Sequence, residues 1–329
     1  MKVSIKNRKK YVKVICLIFI CTFILTGCAD NHETENKISI EDGKEKDGTG
    51  EIDSSSISGE TNTEDSIEDI VTEPETVSAD WSEYFDGLNG TAVVYDTSNR
   101  QYMVYNQELA ETRRSPCSTF KIISSLIALE NRIIIPENST RTWSGEVFWN
   151  EEWNRDIDFS EAFRTSCVWY FRQVVDDIGK DLIQKELDKL QYGNCDISDW
   201  EGRLNTNNNN RALIGFWIES SLLISPKEQV EVMERIFGSS SDYSEETQRE
   251  LKKVMLVPEQ ERTDIPIYGK TGLGVIDGLA VDAWFTGFAE STTGNIYFCV
   301  RLGRTDGMDV SSTRAKEIAI KIVSDYCMR

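Results

Sequence analysis

The sequence has almost no histidine: its 329 residues include a single one, His32. That residue lies in an N-terminal stretch with few apolar residues, so no Ser-His-Asp triad is possible in the part that folds. Zinc hydrolysis, which relies on histidine ligands at fixed spacings, is excluded for the same reason. A hydroxyl nucleophile in this chain would therefore need another base, and lysine is the natural alternative.

The sequence also lacks the cysteine pattern of a disulfide framework. It has eight cysteines, three of them within the first 28 residues, which leaves an odd number for an exported chain. Without a histidine partner a thiol nucleophile is not expected, so we predict buried, small apolar side chains at Cys117 and Cys167, next to the motifs described below. The cysteines beyond residue 28 are Cys117, Cys167, Cys195, Cys299 and Cys327.

Residues 29–80 have few aromatic or large apolar side chains and many Glu, Asp, Ser, Thr and Gly residues. Such a composition cannot bury enough surface to fold, so we predict a disordered acidic linker. The net charge of the whole chain is −20. This acidity disfavours a nucleic acid as a partner, because binding to phosphates depends on Lys and Arg side chains. The remaining stretch, residues 81–329, suffices for one sizeable core with an inserted subdomain.

The first 28 residues have the pattern of an export signal. A basic start precedes an apolar stretch over residues 14–25, and the sequence L-T-G-C ends at Cys28. This ending resembles a bacterial lipobox, which implies cleavage before Cys28, lipid attachment to that cysteine and an extracytoplasmic location on a cell membrane. An uncleaved anchor helix is the alternative, although the apolar stretch is shorter than the roughly 20 residues that a transmembrane helix needs.

Ser118 and Lys121 lie three residues apart in the run S-T-F-K. On a helix this spacing places both side chains on one face, where the amine can accept the hydroxyl proton. Pro116 suits a first helical turn, and the apolar run over residues 122–129 predicts a buried helix that would hold the pair rigidly. By itself the pattern has little specificity, because two fixed residues among four recur by chance.

Four further motifs follow in a fixed order and give the pair its specificity. They are Ser166-Cys167-Val168, Tyr192-Gly193-Asn194, Phe216-Trp217 and Lys270-Thr271-Gly272-Leu273-Gly274. Together with S-x-x-K, this order resembles that of the penicillin-recognising serine acyl-enzymes, and in particular the class D β-lactamases, or oxacillinases. The resemblance runs from about residue 80 to the C-terminus and includes segments between the motifs, such as residues 153–156 and 283–288.

The resemblance implies an α+β fold in which an antiparallel five-stranded sheet is flanked by N- and C-terminal helices and joined by a helical subdomain. The periodicity of the sequence agrees with this fold. We predict a hairpin of strands at 91–94 and 101–105, helices at 171–178 and 230–237, an Asn-rich loop at 205–210, strands at 267–271, 280–288 and 296–302, and a closing helix at 313–326.

The resemblance also implies the catalytic roles. Ser118 is the nucleophile, and its backbone N–H together with that of Leu273 stabilises the oxyanion. Ser166 passes protons towards the leaving nitrogen of the substrate. Lys270 tunes that serine electrostatically.

The implied substrates are β-lactam antibiotics: penicillins, with cephalosporins and carbapenems as further candidates. These molecules carry a carboxylate, which Arg314 and the Thr271 hydroxyl would bind, Arg314 contributing a fixed planar fork of donors. The choice among them depends on loops around Trp143 and Trp153 and on the segment after Gly272. The other implied substrate contacts are Val168, Lys270, Gly272, Leu273 and Trp153, whereas Tyr192 and Asn194 would lie in a loop near the pocket wall.

Val168 decides how Lys121 would act. Class A β-lactamases and transpeptidases have Asn at this position, whereas Val168, Phe120 and Trp217 would surround the Lys121 amine with apolar groups. Burial lowers the pKa of an amine from about 10.4 by several units and keeps it neutral. A neutral buried lysine can add carbon dioxide, and the resemblance implies an N6-carboxylated Lys121, held by the Trp217 N–H, as the base for acylation and deacylation. No other cofactor is expected.

A second pattern competes for the role of the deacylating base. The run from Glu201 to Asn205 matches E-x-x-L-N, which carries the deacylating glutamate in class A β-lactamases. However, no Ser-Asp-Asn lies between it and S-x-x-K. We therefore interpret it as a chance match in a loop.

Three other interpretations stay open for the whole chain. A penicillin sensor of the same fold is acylated and stays acylated, and it carries Asn where this chain has Val168. A D,D-transpeptidase of the cell wall would also carry Asn there and usually has extra domains. An inactive relic would not need to keep the full set of motifs. Val168 therefore favours turnover of the substrate.

Overall fold

The computed structural model of the protein describes residues 73–203, 210–258 and 265–328. The chain divides into two compact units, and all of these residues belong to the second unit, Asp69–Arg329. The predicted export signal, the lipidation site Cys28, most of the predicted linker and most of the Asn-rich loop lie outside the described residues. Within the described ranges, none of the helices combines the length and the apolar composition needed to cross a membrane.

A single sheet forms the centre of the described unit. Its strands are β1 (Glu75–Ser78), β2 (Gly90–Asp96), β3 (Gln101–Tyr105), β4 (Ile267–Ile276), β5 (Leu279–Glu290) and β6 (Asn295–Gly303). The spatial order is β1-β3-β2-β6-β5-β4. Every neighbouring pair is antiparallel except β1 and β3, which run parallel. Strand β4, which carries the K-T-G motif, therefore lies at one edge of the sheet.

The prediction of a five-stranded antiparallel sheet needs a correction. The described part of the sheet is mixed and includes a sixth strand, β1, whose residues we had assigned to the acidic linker. A short edge strand needs little apolar surface of its own, because the open edge of β3 supplies its backbone partners. The helix α1 (Ser82–Phe85) separates β1 from β2, so the chain is not confined to a hairpin turn and can run parallel to β3.

Helices cover both faces of the sheet. Helices α1 and α9 (Ser312–Cys327) share one apolar cluster with the first face, and the helical region shares a second cluster with the other face. The helices between them are α2 (Gln107–Glu111), α3 (Lys121–Glu130), α4 (Phe159–Arg164), α5 (Val168–Ile178), α6 (Lys180–Leu190), α7 (Pro226–Phe237) and α8 (Glu245–Met255).

The burial of both faces explains why the strands could be predicted. Successive residues of a strand point to opposite faces, so Val93 packs with the helical region whereas Ala92 and Val94 pack on the side of α9. In the same way Trp284 and Phe285 belong to different clusters. Because both faces are apolar, β2, β5 and β6 contain long apolar runs, and the predicted hairpin, the three later strands and the closing helix are confirmed.

The turn that carries Ser118 differs from the prediction. Ser118 lies in a short 3₁₀ helix, Cys117–Phe120, and α3 begins directly after it at Lys121. We had placed Ser118 on the α-helix itself. The side chains still meet, because a 3₁₀ helix has three residues per turn and residues i and i+3 lie one above the other. Helix α3 is buried along nearly its whole length, as its apolar run predicted.

Helix α7 supports this turn from the other side. The Gln229 amide donates a hydrogen bond of 2.9 Å to the Thr119 hydroxyl, one residue after Ser118. The helix begins with a capping box, in which Ser225 accepts from the Glu228 N–H and the Glu228 carboxylate accepts from the Ser225 N–H. Both interactions satisfy backbone donors that a helix start leaves without partners.

We expect Ser225→Ala to lower the free energy of unfolding by about 1 kcal/mol, since it removes the cap of α7. Ser198→Ala, at an exposed serine, is the control and should change it by less than about 0.5 kcal/mol. Denaturant unfolding followed by circular dichroism measures both values. Equal transition midpoints for the two variants would contradict the stabilising role of the cap.

Candidate active site

Ser118 and Lys121 form a close pair at the start of α3. The Lys121 Nζ atom lies 2.8 Å from the Ser118 Oγ atom. Lys121 is 1% exposed, whereas Ser118 is partly exposed and reaches a surface cavity. The pair therefore joins a hydroxyl that a substrate can reach to an amine that is almost fully buried.

The surroundings of the Lys121 amine are apolar, as predicted. The Phe171 ring lies 5.5 Å from Nζ, and the ring of Phe120, the residue before Lys121, stacks on the Trp217 ring with their centroids 5.7 Å apart. This burial lowers the pKa of Lys121 to about 8, against a smaller opposing influence of the Cys167 and Cys117 sulfur atoms. A substantial fraction of the amine is therefore neutral near physiological pH.

Trp217 is buried, and its backbone is bonded to the segment that precedes Ser118. Its carbonyl accepts hydrogen bonds of 2.9 Å from both the Cys117 N–H and the Ser115 hydroxyl. The Arg172 guanidinium lies 5.4 Å from its ring on another side. Among the described residues, no acceptor is recorded for the indole N–H.

Ser166 and Lys270 form a second hydroxyl and amine pair. The Lys270 Nζ atom donates to the Ser166 Oγ atom at 3.1 Å and to the Thr271 carbonyl at 3.2 Å. Burial lowers the pKa of Lys270 well below its usual value, and the charges of Lys121 and Lys316 lower it further. The charge of Lys121 therefore disfavours a charge on Lys270, and the two amines contact two different serines.

Ser118 lines a cavity of about 320 Å³ that has a largely apolar lining, whereas Lys121, Ser166 and Lys270 are not among its lining residues. Of the predicted site residues, the cavity brings together Ser118, Val168, Trp153 and Leu273. Trp153 is fixed there by a hydrogen bond of 3.1 Å from its indole N–H to the Thr165 carbonyl. The other lining residues are Cys117, Trp149, Leu213, Ile214, Ile218 and Val275.

The predicted carboxylate ligands lie outside the cavity lining. Arg314 stands in the first turn of α9 with its side chain 43% exposed, and it forms an ion pair of 3.3 Å with Glu317. Thr271 lies next to the second pair, with its hydroxyl oxygen 3.4 Å from the Lys270 Nζ atom. Gly272 packs against the 3₁₀ turn, where an added Cβ would lie 3.0 Å from the Pro116 carbonyl oxygen. The roles of these residues in substrate binding stay predictions.

The Tyr192-Gly193-Asn194 motif has a structural role in this chain. The Asn194 amide donates to the Ser221 carbonyl and its oxygen accepts from the Leu223 N–H, each at 2.9 Å. Gly193 has a φ of 57° and packs so closely on the Leu223 carbonyl that a Cβ would lie 2.0 Å from its oxygen. The motif fixes the loop after Trp217.

The part of the E-x-x-L-N pattern that the structure describes lies at the surface. Glu201 has a side chain that is 61% exposed and forms an ion pair of 2.5 Å with Arg211. It does not contribute to the cavity that contains Ser118. Leu204 and Asn205 lie outside the described residues.

Sequence reasoning missed two residues near Ser118. The first is Trp149, which is 80% exposed at the cavity and has no motif around it to mark it. The second is Glu219, whose carboxylate accepts a hydrogen bond from the Cys117 thiol at 3.2 Å. Its neighbour Trp217 was recognised, but nothing in the sequence links Glu219 to Cys117. Contacts between distant segments of this kind need the fold.

The described cysteines are all free thiols, and Cys117 and Cys167 are buried as predicted. Burial raises the pKa of Cys167 to about 11 and that of Cys117 well above its usual value. Both thiols are therefore protonated and poor nucleophiles. Within the described residues, no group of three or more His, Cys, Asp and Glu side chains could hold a metal ion.

Comparison with known proteins agrees with this site. A family model for the penicillin binding protein transpeptidase domain matches residues 90–324. The probable β-lactamase YbxI of Bacillus subtilis is 32% identical over 243 residues, which are 74% of this chain and 82% of YbxI. The chain belongs to the penicillin-binding transpeptidase family. A crystal structure of a class D β-lactamase from Bacillus subtilis has a TM-score of 0.64 and 31% identity, covering 74% of this chain and 94% of that one.

The predicted resemblance to class D β-lactamases is therefore confirmed. The same family also includes a regulator: BlaR1 of Bacillus licheniformis is 31% identical over 246 residues. This chain covers 38% of the length of BlaR1, and the match takes up 74% of this chain. Because β-lactamases and a regulatory protein share the fold, the activity of this chain must be argued from its site.

In buffer free of carbon dioxide, we expect the Lys121 amine to titrate with a pKa of about 8, because burial disfavours its charged form. Carbon-13 NMR of protein labelled at the lysine ε-carbon measures this pKa. The signal is assigned by its loss in Lys121→Arg. A midpoint above about 10, the usual value for a solvated lysine, would show that the amine is not buried as described.

Proposed function

We propose that the chain hydrolyses β-lactam antibiotics through an acyl-enzyme on Ser118. Penicillins are the main proposed substrates, with cephalosporins and carbapenems as further candidates. The observation that carries this proposal is the 2.8 Å contact between the Ser118 hydroxyl and an amine whose pKa is about 8. An amine that is partly neutral at physiological pH can accept the proton of a hydroxyl beside it, which makes that hydroxyl a nucleophile. The similarity to YbxI supports the same activity.

Acylation begins when the Ser118 Oγ atom attacks the lactam carbonyl carbon and its proton passes to the base at Lys121. The carbonyl oxygen then carries negative charge, which the backbone N–H groups of Ser118 and Leu273 would stabilise. Leu273 lies on an edge strand, so the N–H groups on its free side are not used by the sheet. The ring C–N bond breaks, and the nitrogen takes a proton from Ser166, which Lys270 contacts at 3.1 Å. The proton that the base at Lys121 took from Ser118 then passes to Ser166, so both groups are restored before deacylation.

Deacylation uses the same groups in reverse. A water molecule attacks the ester carbonyl carbon while the base at Lys121 takes its proton. The bond to Ser118 Oγ breaks, and the serine recovers its proton. The apolar lining beside Val168 and Ile218 limits the water near the ester to what the base can activate.

The surroundings of Lys121 fit an N6-carboxylated side chain formed with carbon dioxide. When bound, this group supplies an anionic base in place of a neutral amine. The Trp217 N–H, which no described residue accepts, would donate to it, and a buried anion needs such a donor. The neighbouring Lys270 amine would hold a proton more readily beside an anion than beside the Lys121 cation that now lowers its pKa.

The substrate carboxylate is proposed to bind Thr271 and Arg314. The Thr271 hydroxyl lies beside Lys270, on the same strand as Leu273. Arg314 now pairs with Glu317, three residues along an exposed face of α9. An exposed pair of this kind contributes less than about 1 kcal/mol, so a substrate carboxylate can replace Glu317 as the partner.

A penicillin sensor that stays acylated is the second candidate. The similarity to BlaR1 favours it, because that protein is named a regulatory protein. Val168 argues against it, since a side chain with no hydrogen-bonding group leaves the Lys121 amine free to act as a base. In an acylated sensor, a polar neighbour at this position would compete for that amine.

We further propose that the protein is held outside the cytoplasm by a lipid on Cys28. The L-T-G-C sequence after an apolar stretch supports this location. A β-lactamase in this position meets the antibiotic before it reaches the cell wall enzymes.

Ser118→Ala is expected to abolish hydrolysis and to leave the fold intact, because it removes one oxygen atom from a turn. Mass spectrometry after exposure to a penicillin should show an adduct of one substrate on the wild type and none on the variant. Ser124→Ala, a buried serine of α3, is the matched control and should keep the adduct. An adduct that still forms on Ser118→Ala would place the nucleophile elsewhere.

Turnover should depend on carbon dioxide. Each pH unit below a pKa of about 8 lowers the neutral fraction of the Lys121 amine about tenfold, so acid releases carbon dioxide from the carboxylated side chain. After exposure to pH ~5 and return to pH ~7.5 without carbon dioxide, we expect less than about a tenth of the turnover, with recovery on adding bicarbonate. A chromogenic cephalosporin and carbon-13 labelled bicarbonate measure both effects. Turnover that is indifferent to bicarbonate, with no carbamate signal, would contradict this base.

Val168→Asn tests the choice between an enzyme and a sensor, because it places an amide beside the Lys121 amine. We expect acylation to persist and deacylation to slow by about tenfold or more, because a hydrogen bond to the amine weakens the base. The acylation rate constant is read from the formation of the adduct, and the deacylation rate constant from its lifetime. If Val168→Asn deacylates as fast as the wild type, position 168 does not separate an enzyme from a sensor.

A further inference from the structure

One carboxylate contacts both segments that border the reactive carbonyl. The Glu219 Oε1 atom accepts a hydrogen bond of 3.2 Å from the thiol of Cys117, the residue before Ser118. The same atom lies against the backbone of Gly274, the residue after Leu273, where an added Cβ would stand 2.0 Å from it. Glu219 therefore fills the space between the 3₁₀ turn and strand β4.

The backbone around Glu219 is fixed to the same turn. The Glu219 N–H donates to the Ser115 hydroxyl at 2.9 Å, and the Cys117 N–H donates to the Trp217 carbonyl at 2.9 Å. Cys117 and Glu219 both have left-handed backbones, with φ of 49° and 46°. Residues other than glycine keep this conformation where neighbouring contacts impose it, so the two strained positions hold each other.

The protonation of the Glu219 carboxyl and the Cys117 thiol bears on what the two groups can do. Burial raises the pKa of the Glu219 carboxyl, and the nearby charge of Asp282 raises it further, while the Cys117 thiol lowers it in part. The thiol itself is buried and protonated. A protonated thiol is a poor nucleophile, so a role in spacing is the one that their contacts support.

We propose that Glu219 is a positioning residue that sets the distance between the backbone N–H groups of Ser118 and Leu273. This inference rests on the acylation step of the proposed function and does not depend on deacylation. The carboxyl acts as a spacer: it holds Cys117 through the thiol and keeps Gly274 at van der Waals distance. Ser118 follows Cys117 in the chain, and Leu273 precedes Gly274. The separation of the two N–H groups therefore follows the separation of Cys117 and Gly274.

The effect on the rate follows from the geometry that an oxyanion requires. Removing one donor of an oxyanion pair slows reactions of this type by about 10²–10³-fold. A displacement of about 1 Å can slow a reaction by about 10²-fold without changing the reacting groups. Loss of the spacer lets β4 move towards the turn, so the effect should fall on the acylation rate constant and spare the binding of the intact antibiotic.

The experiment measures acylation of the full chain by a penicillin in saturating bicarbonate, with stopped-flow and mass spectrometry. Glu219→Ala should lower the acylation rate constant by about 10–100-fold and change the dissociation constant of the intact penicillin less than about threefold. The affinity for phenylboronic acid, which forms a tetrahedral adduct on a serine, should fall by a similar factor. Glu219→Gln, which keeps the shape and an acceptor for the thiol, should stay within about threefold of the wild type.

Gly274→Ala tests the spacer from the other side. The new methyl group collides with the carboxyl, so acylation should fall by about tenfold or more, whereas Glu219→Ala in the same chain makes room for it. We expect Glu219→Ala/Gly274→Ala to acylate at least about tenfold faster than Gly274→Ala alone. Melting temperatures of all variants separate this rescue from a general loss of the fold. If Glu219→Ala itself does not fold, the comparison of Glu219→Gln, Gly274→Ala and the double variant still decides.

Three outcomes would overturn the inference. The first is acylation of Glu219→Ala within threefold of the wild type, and the second is a double variant whose effects simply multiply. The third is an equal loss in Glu219→Gln, which would make the charge of Glu219 the important property. If the wild type is not acylated by penicillin at all, the proposed function fails instead, so the two failures are distinguishable.

Discussion

The burial of the Lys121 amine against the Ser118 hydroxyl is the constraint on which the rest of the site depends. A lysine in water is protonated at physiological pH and cannot accept a proton from a serine. Here desolvation lowers the pKa to about 8, and the 2.8 Å contact gives the neutral amine its target. Apolar neighbours such as Phe171, Val168 and Trp217 are therefore part of the chemistry, because a polar lining would restore the charge.

The second lysine makes this arrangement sensitive to the state of the first. The charge of Lys121 is among the causes that lower the pKa of Lys270. Two positive charges in one buried region are therefore disfavoured. An anion on Lys121 reverses the sign of this influence and favours a proton on Lys270. In that state Lys270 can hold Ser166 as a donor towards the leaving nitrogen. The proposed carboxylation makes Lys121 an anionic base, and the same change of charge favours a proton on Lys270.

The sequence predicted the parts of this structure that depend on local patterns. The order of the motifs identified the Ser118 and Lys121 pair, and continuous apolar runs located the strands that have two buried faces. It did not predict β1, since a short edge strand depends on an open neighbour and not on its own composition. It also missed Glu219, because the contact with Cys117 joins segments about a hundred residues apart in the chain. Information of that kind appears when the fold brings two segments together.

Part of the strained backbone lies where the chemistry is proposed: three of the ten described residues other than glycine that have a positive φ belong to the site. Cys117, Ser166 and Glu219 all have left-handed φ values without being glycine. Each such residue costs about 1–3 kcal/mol, which the surrounding hydrogen bonds and packing must offset. Ser166 contacts Lys270, and the other two contact each other, so each strained residue is held by a side chain of the site. The buried amine needs a serine at one fixed distance, and the fold accepts local strain to keep that distance.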